Sequence, residues 1–255
     1  MSAPSSLSTP LAQSTVVMIP ARLASSRLPD KPLADIGGLP MIVQVWKRAM
    51  EAEVGPVVVA AGEQAIVDAI KDHGGEAVLT DPDLPSGSDR IRAALDLIDA
   101  ERRYDRVVNL QGDLPTIDPG LIRAVLRPLD TLGTDIGTLA TPISDPAERD
   151  DPHVVKAIIA FSPDHENLGR ALYFTRATAP SGPGPVYHHI GIYAYQRSAL
   201  ERFSSLAPSP LERRERLEQL RALENDMTIG VARVDTVPLG VDTSEQLAEA
   251  KRILG

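Results

Sequence analysis

Short runs of β-branched residues alternate in this chain with segments whose apolar side chains recur at helical spacing. Residues 16–19 form the first run, residues 57–59 the second and residues 107–110 a later one. Between the first two runs, residues 42–49 carry apolar side chains at positions i, i+3, i+4 and i+7, which marks one face of a helix. Such alternation builds βαβ units, so the sequence predicts an α/β fold with a mostly parallel sheet flanked by helices.

The alternation becomes less regular after residue 118. Residues 15–255 are interpreted as one domain, with a smaller mixed α/β subdomain inserted at about residues 145–225. A helix is predicted over residues 210–223, with Ser209 as its N-cap, and another begins after Thr243. Candidate strands in this half are residues 136–140, 154–160, 186–195 and 228–234.

Composition excludes several classes of protein. A net charge of −9 opposes binding to a polyanionic duplex, so we expect no nucleic acid partner. The absence of cysteine excludes disulfides and thiolate chemistry. The chain has no run of about 18 apolar residues, which predicts no membrane span. Residues 1–14 lack the pattern of a signal peptide and are predicted to be a disordered tail, so a cytoplasmic location is expected.

The loop after the first predicted strand is rich in cations. Arg22, Arg27 and Lys31 lie within ten positions, among small residues that would let a ligand approach the backbone. Ligands of open α/β sheets bind at the carboxyl ends of strands, and guanidinium and ammonium groups suit phosphate oxygens. The loop therefore predicts a triphosphate site. A solvated surface loop with incidental charge is the alternative interpretation of the same residues.

A carboxylate occupies the end of a second buried strand. Asp113 follows residues 107–112, which end in Gln-Gly. A carboxylate at this position is a hard oxygen ligand, suited to a Mg²⁺ ion shared with phosphates. A turn residue after glycine is the other interpretation, and residue type alone does not separate the two.

Several motifs, in order, resemble those of the 3-deoxy-manno-octulosonate (KDO) cytidylyltransferases, also called CMP-KDO synthetases. The opening motif is similar at residues 19–22 (Ile-Pro-Ala-Arg), 27–29 (Arg-Leu-Pro) and 31–33 (Lys-Pro-Leu). Further similar segments are residues 80–90, 109–113, 171–176, 189–193, 208–212, 217–221 and 240–243, so the resemblance spans residues 16–254. It implies a Rossmann-like nucleotidyltransferase fold similar to glycosyltransferase A, with a subdomain that forms a homodimer. It also implies transfer of CMP from CTP to KDO, with Mg²⁺ as cofactor, for lipopolysaccharide synthesis.

The resemblance also assigns roles to residues. CTP would be bound by Pro20, Ala21, Arg22, Arg27, Lys31, Ser86, Gly87, Arg90 and Gln111. Arg22, Arg27, Lys31 and Asp113 would be the catalytic set, and Asp113 and Asp242 would hold the metal. The sugar acid would be bound by Gln111, Arg176, His189, Tyr193, Glu218 and Gln219. The implied partners are CTP and KDO.

The sequence departs from the family pattern at Asp30, Ala61, Gly62, Leu114 and His188. Glycine is usual at the first, Thr-Asp is frequent at the next pair, an acidic residue is usual at the fourth and arginine is common at the last. Alternative functions are a cytidylyltransferase for 8-amino-KDO or a sialic acid, and a CTP-binding homologue without activity. The number of Mg²⁺ ions, one or two, is left open by the residues.

Overall fold

The computed structural model describes residues 14–24 and 28–255. Its strands are β1 (Thr15–Ala21), β2 (Asp35–Ile36), β3 (Leu39–Pro40), β4 (Val57–Ala61), β5 (Glu76–Leu79), β6 (Arg106–Asn109), β7 (Ile136–Pro142), β8 (Lys156–Phe161), β9 (Leu168–Thr175), β10 (Tyr187–Gln196) and β11 (Ile229–Arg233). Its helices are α1 (Met41–Met50), α2 (Gln64–Lys71), α3 (Gly87–Ile98), α4 (Pro119–Ala124), α5 (Arg127–Leu132), α6 (Pro146–Asp150), α7 (Arg197–Ser205), α8 (Pro210–Glu215), α9 (Leu220–Glu224) and α10 (Ser244–Leu254), with a 3-10 turn at Lys31–Leu33.

Within these residues, nine strands form one sheet in the order β5-β4-β1-β6-β10-β7-β11-β9-β8. Strands β5, β4, β1 and β6 pair in parallel. Strand β10 is antiparallel to its neighbours β6 and β7, and β9 is antiparallel to β11 and β8. Only β9 and β10 therefore oppose the common direction of this sheet in the described chain. The prediction of a mostly parallel α/β fold is confirmed.

Strand β1 lies at the centre of the parallel half and is buried on both faces. Val17 and Ile19 pack with apolar residues of α1 and α2 on one side. Val16 and Met18 pack with residues of α3 and α7 on the other side. Burial on both faces is why the strand is a continuous apolar run rather than an alternating one. It also leaves polar ligands room only at the carboxyl edge of the sheet, where β1 and β6 end together.

Several predictions for the second half of the chain needed correction. The four predicted strands are confirmed as β7, β8, β10 and β11, but strand β9 and helices α4, α5, α6 and α7 were not predicted. The single helix over residues 210–223 is wrong, because the chain breaks into α8 and α9. Arg216 ends α8 in the left-handed region, with φ 58° and ψ 47°. The break lets Leu217 and Leu220 both enter the core.

Strands β8, β9 and β10 lie in the same sheet as the parallel half. The inserted subdomain at about residues 145–225 therefore stays a prediction. Most of the predicted disordered tail lies outside the described residues. Ser14 is described, and its carbonyl oxygen accepts a hydrogen bond from the Asp105 N–H at 2.9 Å. In the part of the chain that the structure describes, every helix is too short or too polar to cross a membrane.

Candidate active site

A cleft of about 770 Å³ opens at the carboxyl ends of β1 and β6. Nine of the residues assigned to CTP or catalysis line it, namely Pro20, Ala21, Arg22, Lys31, Ser86, Gly87, Arg90, Gln111 and Asp113. Arg27, the tenth of that set, lies outside the described residues. The cleft brings together three chain segments, so the loop after β1, the start of α3 and the end of β6 face one volume.

Lys31 joins two carboxylates at one end of this cleft. Its Nζ donates to Asp113 Oδ2 at 2.8 Å and to Asp242 Oδ1 at 2.8 Å. Burial acts to lower the pKa of Lys31, but the charges and hydrogen bonds of the two aspartates outweigh it, and the pKa is raised. The ammonium is therefore fully protonated and holds two acidic groups 82 and 211 positions away in the sequence.

Backbone contacts place Asp242 beside Asp113. The Val241 N–H donates to the Asp113 carbonyl oxygen at 3.0 Å, and the Val241 side chain is fully buried. On the other side, Gln246 Oε1 accepts from the N–H groups of Asp242 and Thr243, at 2.8 and 3.0 Å. This is the predicted capping box at the start of α10. Asp242 thus lies between a buried anchor and a helix cap.

The two aspartates match the donor set of a Mg²⁺ site that substrate phosphates complete. Mg²⁺ is usually held by one or two carboxylates, water and phosphate oxygens rather than by a full protein cage. Asp113 and Asp242 already converge on one cationic atom, Lys31 Nζ. Groups of three or more acidic or histidine ligands do not occur in the described part of the chain. The residues therefore fit a Mg²⁺ ion whose other coordination positions are filled by water and by phosphate oxygens.

The backbone conformation at Asp30 explains why aspartate can replace the glycine that is usual in the family pattern. It adopts the left-handed region, with φ 52° and ψ 28°, immediately before the 3-10 turn that carries Lys31. Glycine enters this region without a steric penalty, and aspartate is one of the few other residues that tolerate it. The departure therefore preserves the backbone conformation that glycine would give.

Arg90 forms a wall of the cleft and is itself buried. Its Nη1 donates to Thr80 Oγ1 at 2.7 Å and to the Asp81 carbonyl oxygen at 3.0 Å, and Nη2 donates to the Pro82 carbonyl oxygen at 3.1 Å. Burial lowers the pKa of Arg90. The side chain holds residues 80–82 against the start of α3, while its charge faces the cleft.

The start of α3 approaches β1 closely. Ser86 is the N-cap of this helix, and its Oγ accepts from the Asp89 N–H at 3.1 Å. A Cβ added at Gly87 would lie 3.3 Å from Pro20 Cγ, closer than most such contacts. Glycine at this position therefore lets the helix terminus reach the floor of the cleft.

The predicted sugar-acid residues on β10 form a row of rings. The His189 and Tyr193 ring centroids are 5.6 Å apart, and those of Tyr193 and Tyr195 are 6.1 Å apart. His189 Nε2 lies 3.0 Å from Thr138 Oγ1. Burial, with a smaller effect of His188, lowers the pKa of His189 to about 3. The imidazole is therefore neutral at physiological pH, and it serves as a hydrogen-bonding group rather than as a cation.

Glu218 lies near the other end of this row. Ser88 Oγ donates to Glu218 Oε2 at 3.0 Å. Burial raises the pKa of Glu218, although hydrogen bonds from Ser86 and Ser88 act in the opposite direction. Ser88 and Tyr195 were not predicted as site residues. Tyr195 follows Tyr193 by two positions in one strand, so the two side chains lie on the same face of the sheet. This spacing is the sequence signal that could have identified Tyr195.

Of the three remaining predicted sugar-acid residues, Gln111 lines the described cleft and Gln219 and Arg176 do not. Gln111 lines the cleft and its Nε2 donates to Asn109 Oδ1 at 3.4 Å. Gln219 is buried at the start of α9. Arg176 is not among the residues that line the described cleft. Its Nε donates to the Glu215 carbonyl oxygen at 3.0 Å and its Nη1 to the Pro152 carbonyl oxygen at 2.9 Å.

The structure also describes Leu114, His188 and Ala61, which are three further departures from the family pattern. The Leu114 side chain is 8% exposed and packs into the core, so it adds no charge near Asp113. His188 Nδ1 lies 3.8 Å from Glu148 Oε2, on α6. Ala61 is the buried last residue of β4, and its carbonyl oxygen accepts from the Thr80 N–H at 2.8 Å. None of these three side chains lines the cleft in the described residues.

Known proteins are similar to this chain in sequence and in fold. Residues 16–229 match the sequence profile of a family described as Cytidylyltransferase. The chain is 62% identical over 244 residues to the 3-deoxy-manno-octulosonate cytidylyltransferase of Parvibaculum lavamentivorans, covering 96% of this chain and 94% of that protein. It is also 62% identical over 239 residues to the protein of the same name from Rhodospirillum centenum, covering 94% and 93%.

A solved structure matches over nearly the whole length as well. CMP:2-keto-3-deoxy-manno-octonic acid synthetase complexed with CTP has a TM-score of 0.87 and 34% sequence identity, covering 94% of this chain and 98% of that chain. Both the identity to curated relatives and the fold extend beyond the cleft to the second half of the sheet. The chain therefore belongs to the cytidylyltransferase family, and within it to the 3-deoxy-manno-octulosonate cytidylyltransferases.

Proposed function

We propose that this chain transfers CMP from CTP to KDO, giving CMP-KDO and pyrophosphate, and so activates KDO for lipopolysaccharide synthesis. The observation that carries the proposal is the convergence of Lys31, Asp113 and Asp242 in a cleft that Arg22 also lines. The two relatives at 62% identity are named for this activity. A cytoplasmic location remains an expectation from the sequence.

In the proposed reaction, the anomeric hydroxyl oxygen of KDO attacks the α-phosphorus of CTP. The new bond joins that oxygen to phosphorus, the bond from the α-phosphorus to the bridging oxygen breaks, and pyrophosphate leaves with the electron pair. The hydroxyl proton passes to water. Such transfers are accelerated mainly by positioning and by stabilising charge. Arg22, Arg27 and Lys31 would neutralise the phosphates, and no covalent enzyme intermediate is required.

Mg²⁺ is proposed as the cofactor, with Asp113 and Asp242 as its protein ligands. When bound, it would neutralise phosphate charge and lower the pKa of the attacking hydroxyl. The arrangement that supports this is the pair of carboxylates held by one ammonium. Once a divalent ion took the place of the Lys31 ammonium between the two aspartates, Lys31 would be free to bind a phosphate.

For the acceptor, the buried row on β10 offers hydrogen-bonding groups instead of charges. Neutral His189 and the Tyr193 hydroxyl would bind sugar hydroxyls, and Gln111 would bridge the acceptor and nucleotide regions. Glu218, whose Oε2 is fixed by Ser88, would accept from another hydroxyl. Arg176 would have to exchange its carbonyl partners to bind the acceptor carboxylate, so its role remains a prediction.

The activity is tested by measuring pyrophosphate release from CTP against KDO, 8-amino-KDO and a sialic acid. We expect release with KDO and Mg²⁺, and loss of at least about 100-fold of the rate when the ion is chelated, because several kcal/mol of charge stabilisation are removed. Restoration by added Mg²⁺ is the control for the chelator. CTP binding without release for any acceptor would instead identify a homologue that only binds the nucleotide.

A homodimer is proposed through the end of the sheet where β8 is the edge strand and β9 is its neighbour. Leu172 on β9 is 51% exposed and Phe161 at the end of β8 is 36% exposed. Large exposed apolar side chains close to a sheet edge favour contact with another surface. The observation supports the contact that the resemblance implies for the second half of the chain.

Replacing Leu172 with glutamate is expected to convert a dimer to a monomer at about 10 µM, because a buried charge at an apolar interface costs several kcal/mol. Light scattering after size exclusion should give twice the chain mass for the wild type and one chain mass for the variant. Leu97→Glu is the matched control, since Leu97 is 65% exposed on α3. A monomeric wild type, or a dimeric Leu172→Glu variant, would contradict the proposed interface.

A further inference from the structure

Glu63 connects two loops at the edge of the cleft. It directly follows β4 and Gly62, at the N-cap position of α2. Its Oε2 accepts a hydrogen bond from the Leu23 N–H at 2.8 Å. Leu23 is 40 positions earlier and belongs to the loop after β1. A side chain that binds a backbone N–H restrains the path of the main chain, so this contact fixes the beginning of the cation-rich loop.

A second contact holds the same loop from the other side of Arg22. The Gly62 N–H donates to the Ala21 carbonyl oxygen at 2.9 Å. Residues 62 and 63 therefore bind the peptide groups on both sides of Arg22, one through a backbone donor and one through the Glu63 carboxylate. Two hydrogen bonds flanking one residue leave its backbone little freedom, and the exposed Arg22 side chain projects from a fixed base.

Space around residue 62 is limited by the arginines themselves. A Cβ added at Gly62 would lie 3.0 Å from Arg90 Nη1 and 3.3 Å from Arg22 Cβ. The two arginines therefore lie against the same short turn. Only a residue without a side chain at 62 lets this turn approach them without displacing one of them.

Charge favours Glu63 at this position. Burial is the main cause of the lowered pKa of Arg90; the charge of Arg22 lowers it further, and the charge of Glu63 raises it. Two guanidinium groups beside one cleft repel each other when no anion is bound. The negative charge of Glu63 offsets part of that repulsion. Glu63 itself is not among the residues that line the cleft.

We propose that Glu63 is a positioning residue for the CTP phosphates. It acts through Arg22, whose backbone it fixes by the hydrogen bond to the Leu23 N–H, with Gly62 completing the clamp on the Ala21 side. The inference rests on the proposed function, in that CTP is taken as the nucleotide. Glu63 binds no phosphate itself, since a carboxylate and a phosphate repel each other. Because Glu63 already restrains the loop in the free protein, the loop loses less conformational entropy when CTP binds.

The test measures the Kd for CTP by calorimetry, without acceptor, together with KM for CTP and kcat. Glu63→Ala is expected to weaken CTP binding about tenfold, since a hydrogen bond to a charged group contributes on the order of that factor. The loss should lie in KM more than in kcat, because the reacting groups are untouched. Glu63→Gln keeps a carbonyl acceptor for the Leu23 N–H, and its Kd should lie within about threefold of the wild type.

Two further variants separate positioning from general stability. Glu76→Ala removes a carboxylate from the exposed start of β5 and should leave the Kd for CTP unchanged. Gly62→Ala adds a Cβ against Arg90 and Arg22 and should weaken CTP binding several-fold even where Glu63→Ala fails to fold. The unfolding midpoint of each variant shows whether the protein is folded at the temperature of the binding measurement.

The outcomes distinguish the two proposals. Equal CTP affinity for the wild type, Glu63→Ala and Gly62→Ala would overturn the positioning role. Glu63→Gln binding as weakly as Glu63→Ala would also overturn it, since the hydrogen bond would then not be the cause. A wild-type protein that binds no CTP would refute the proposed function instead.

Discussion

Replacing Asp113 with asparagine is expected to lower kcat/KM for CMP transfer by at least about a thousandfold, which corresponds to about 4 kcal/mol of transition-state stabilisation. Asparagine has nearly the same shape and its amide oxygen can still accept from Lys31, so the hydrogen bond at 2.8 Å is retained in kind. What is lost is one of two negative charges at the proposed metal position. Mg²⁺ prefers charged oxygen ligands, and an amide is a poor substitute.

The fold should tolerate this change. Asp113 contributes to structure through its backbone, because its carbonyl oxygen accepts from the Val241 N–H at 3.0 Å. The unfolding midpoint of Asp113→Asn should therefore stay within a few degrees of the wild type. Asp164→Asn, in the exposed turn between β8 and β9, is the matched control and should keep full activity.

A second measurement distinguishes loss of the ion from loss of CTP. The Mg²⁺ concentration that gives half of the maximal rate should rise at least about tenfold in Asp113→Asn, while the Kd for CTP measured without Mg²⁺ should change little. An unchanged Mg²⁺ requirement, or turnover at the wild-type level, would remove Asp113 from the proposed metal site. If Asp113→Asn showed both an unchanged Mg²⁺ requirement and wild-type turnover, the reaction scheme that uses Asp113 as a metal ligand would also be excluded.

The parallel half of the sheet could be predicted from the sequence because its signals are local. Residues 57–59 form an uninterrupted apolar run, and residues 42–49 repeat at helical spacing, so each element is visible in its own window. The order of β4, β1 and β6 then follows from the fold class. The cleft at the ends of β1 and β6 was expected for the same reason, since strands of one direction end at one edge.

The second half could not be predicted as well, because its elements depend on distant partners. Strand β9 reads Leu-Gly-Arg-Ala-Leu-Tyr-Phe-Thr, and it is a strand because β11 and β8 pair with it on either side. The break at Arg216 has no local signal either, since arginine is not a residue that favours the left-handed region. Burial of Leu217 and Leu220 determines that conformation.

The site residues were assigned from the resemblance to a family. The structure adds the contacts that bring these residues together, which residue types alone do not indicate. Asp242 is 211 positions from Lys31, and nothing in the spacing of the sequence connects them. Arg90 was expected at the nucleotide, but its donors to Thr80, Asp81 and Pro82 show that it also shapes the wall. The Glu63 contact leaves no pattern at all, because its partner is a backbone N–H, which every residue except proline carries.

Replacing Lys31 with methionine is expected to lower kcat/KM by about a hundredfold or more. The Lys31 side chain is 16% exposed, and its ammonium is bound by two carboxylates, each at 2.8 Å. Methionine fills a similar volume without charge, so the triphosphate loses a cation in a partly buried site, where charged hydrogen bonds are stronger than at the surface. Lys47→Met, on the exposed face of α1, is the matched control and should retain activity.

The same variant separates two roles of Lys31 without any measurement of activity. With the ammonium gone, Asp113 and Asp242 face each other without the cation that now joins them, and like charges at short range destabilise the folded state. Mg²⁺ added without CTP should therefore raise the unfolding midpoint of Lys31→Met by more degrees than that of the wild type, because the ion no longer competes with Lys31. Lys31→Arg keeps the charge and should respond to Mg²⁺ like the wild type. Equal shifts for Lys31→Met and the wild type would show that Lys31 and the ion do not share the space between the two aspartates.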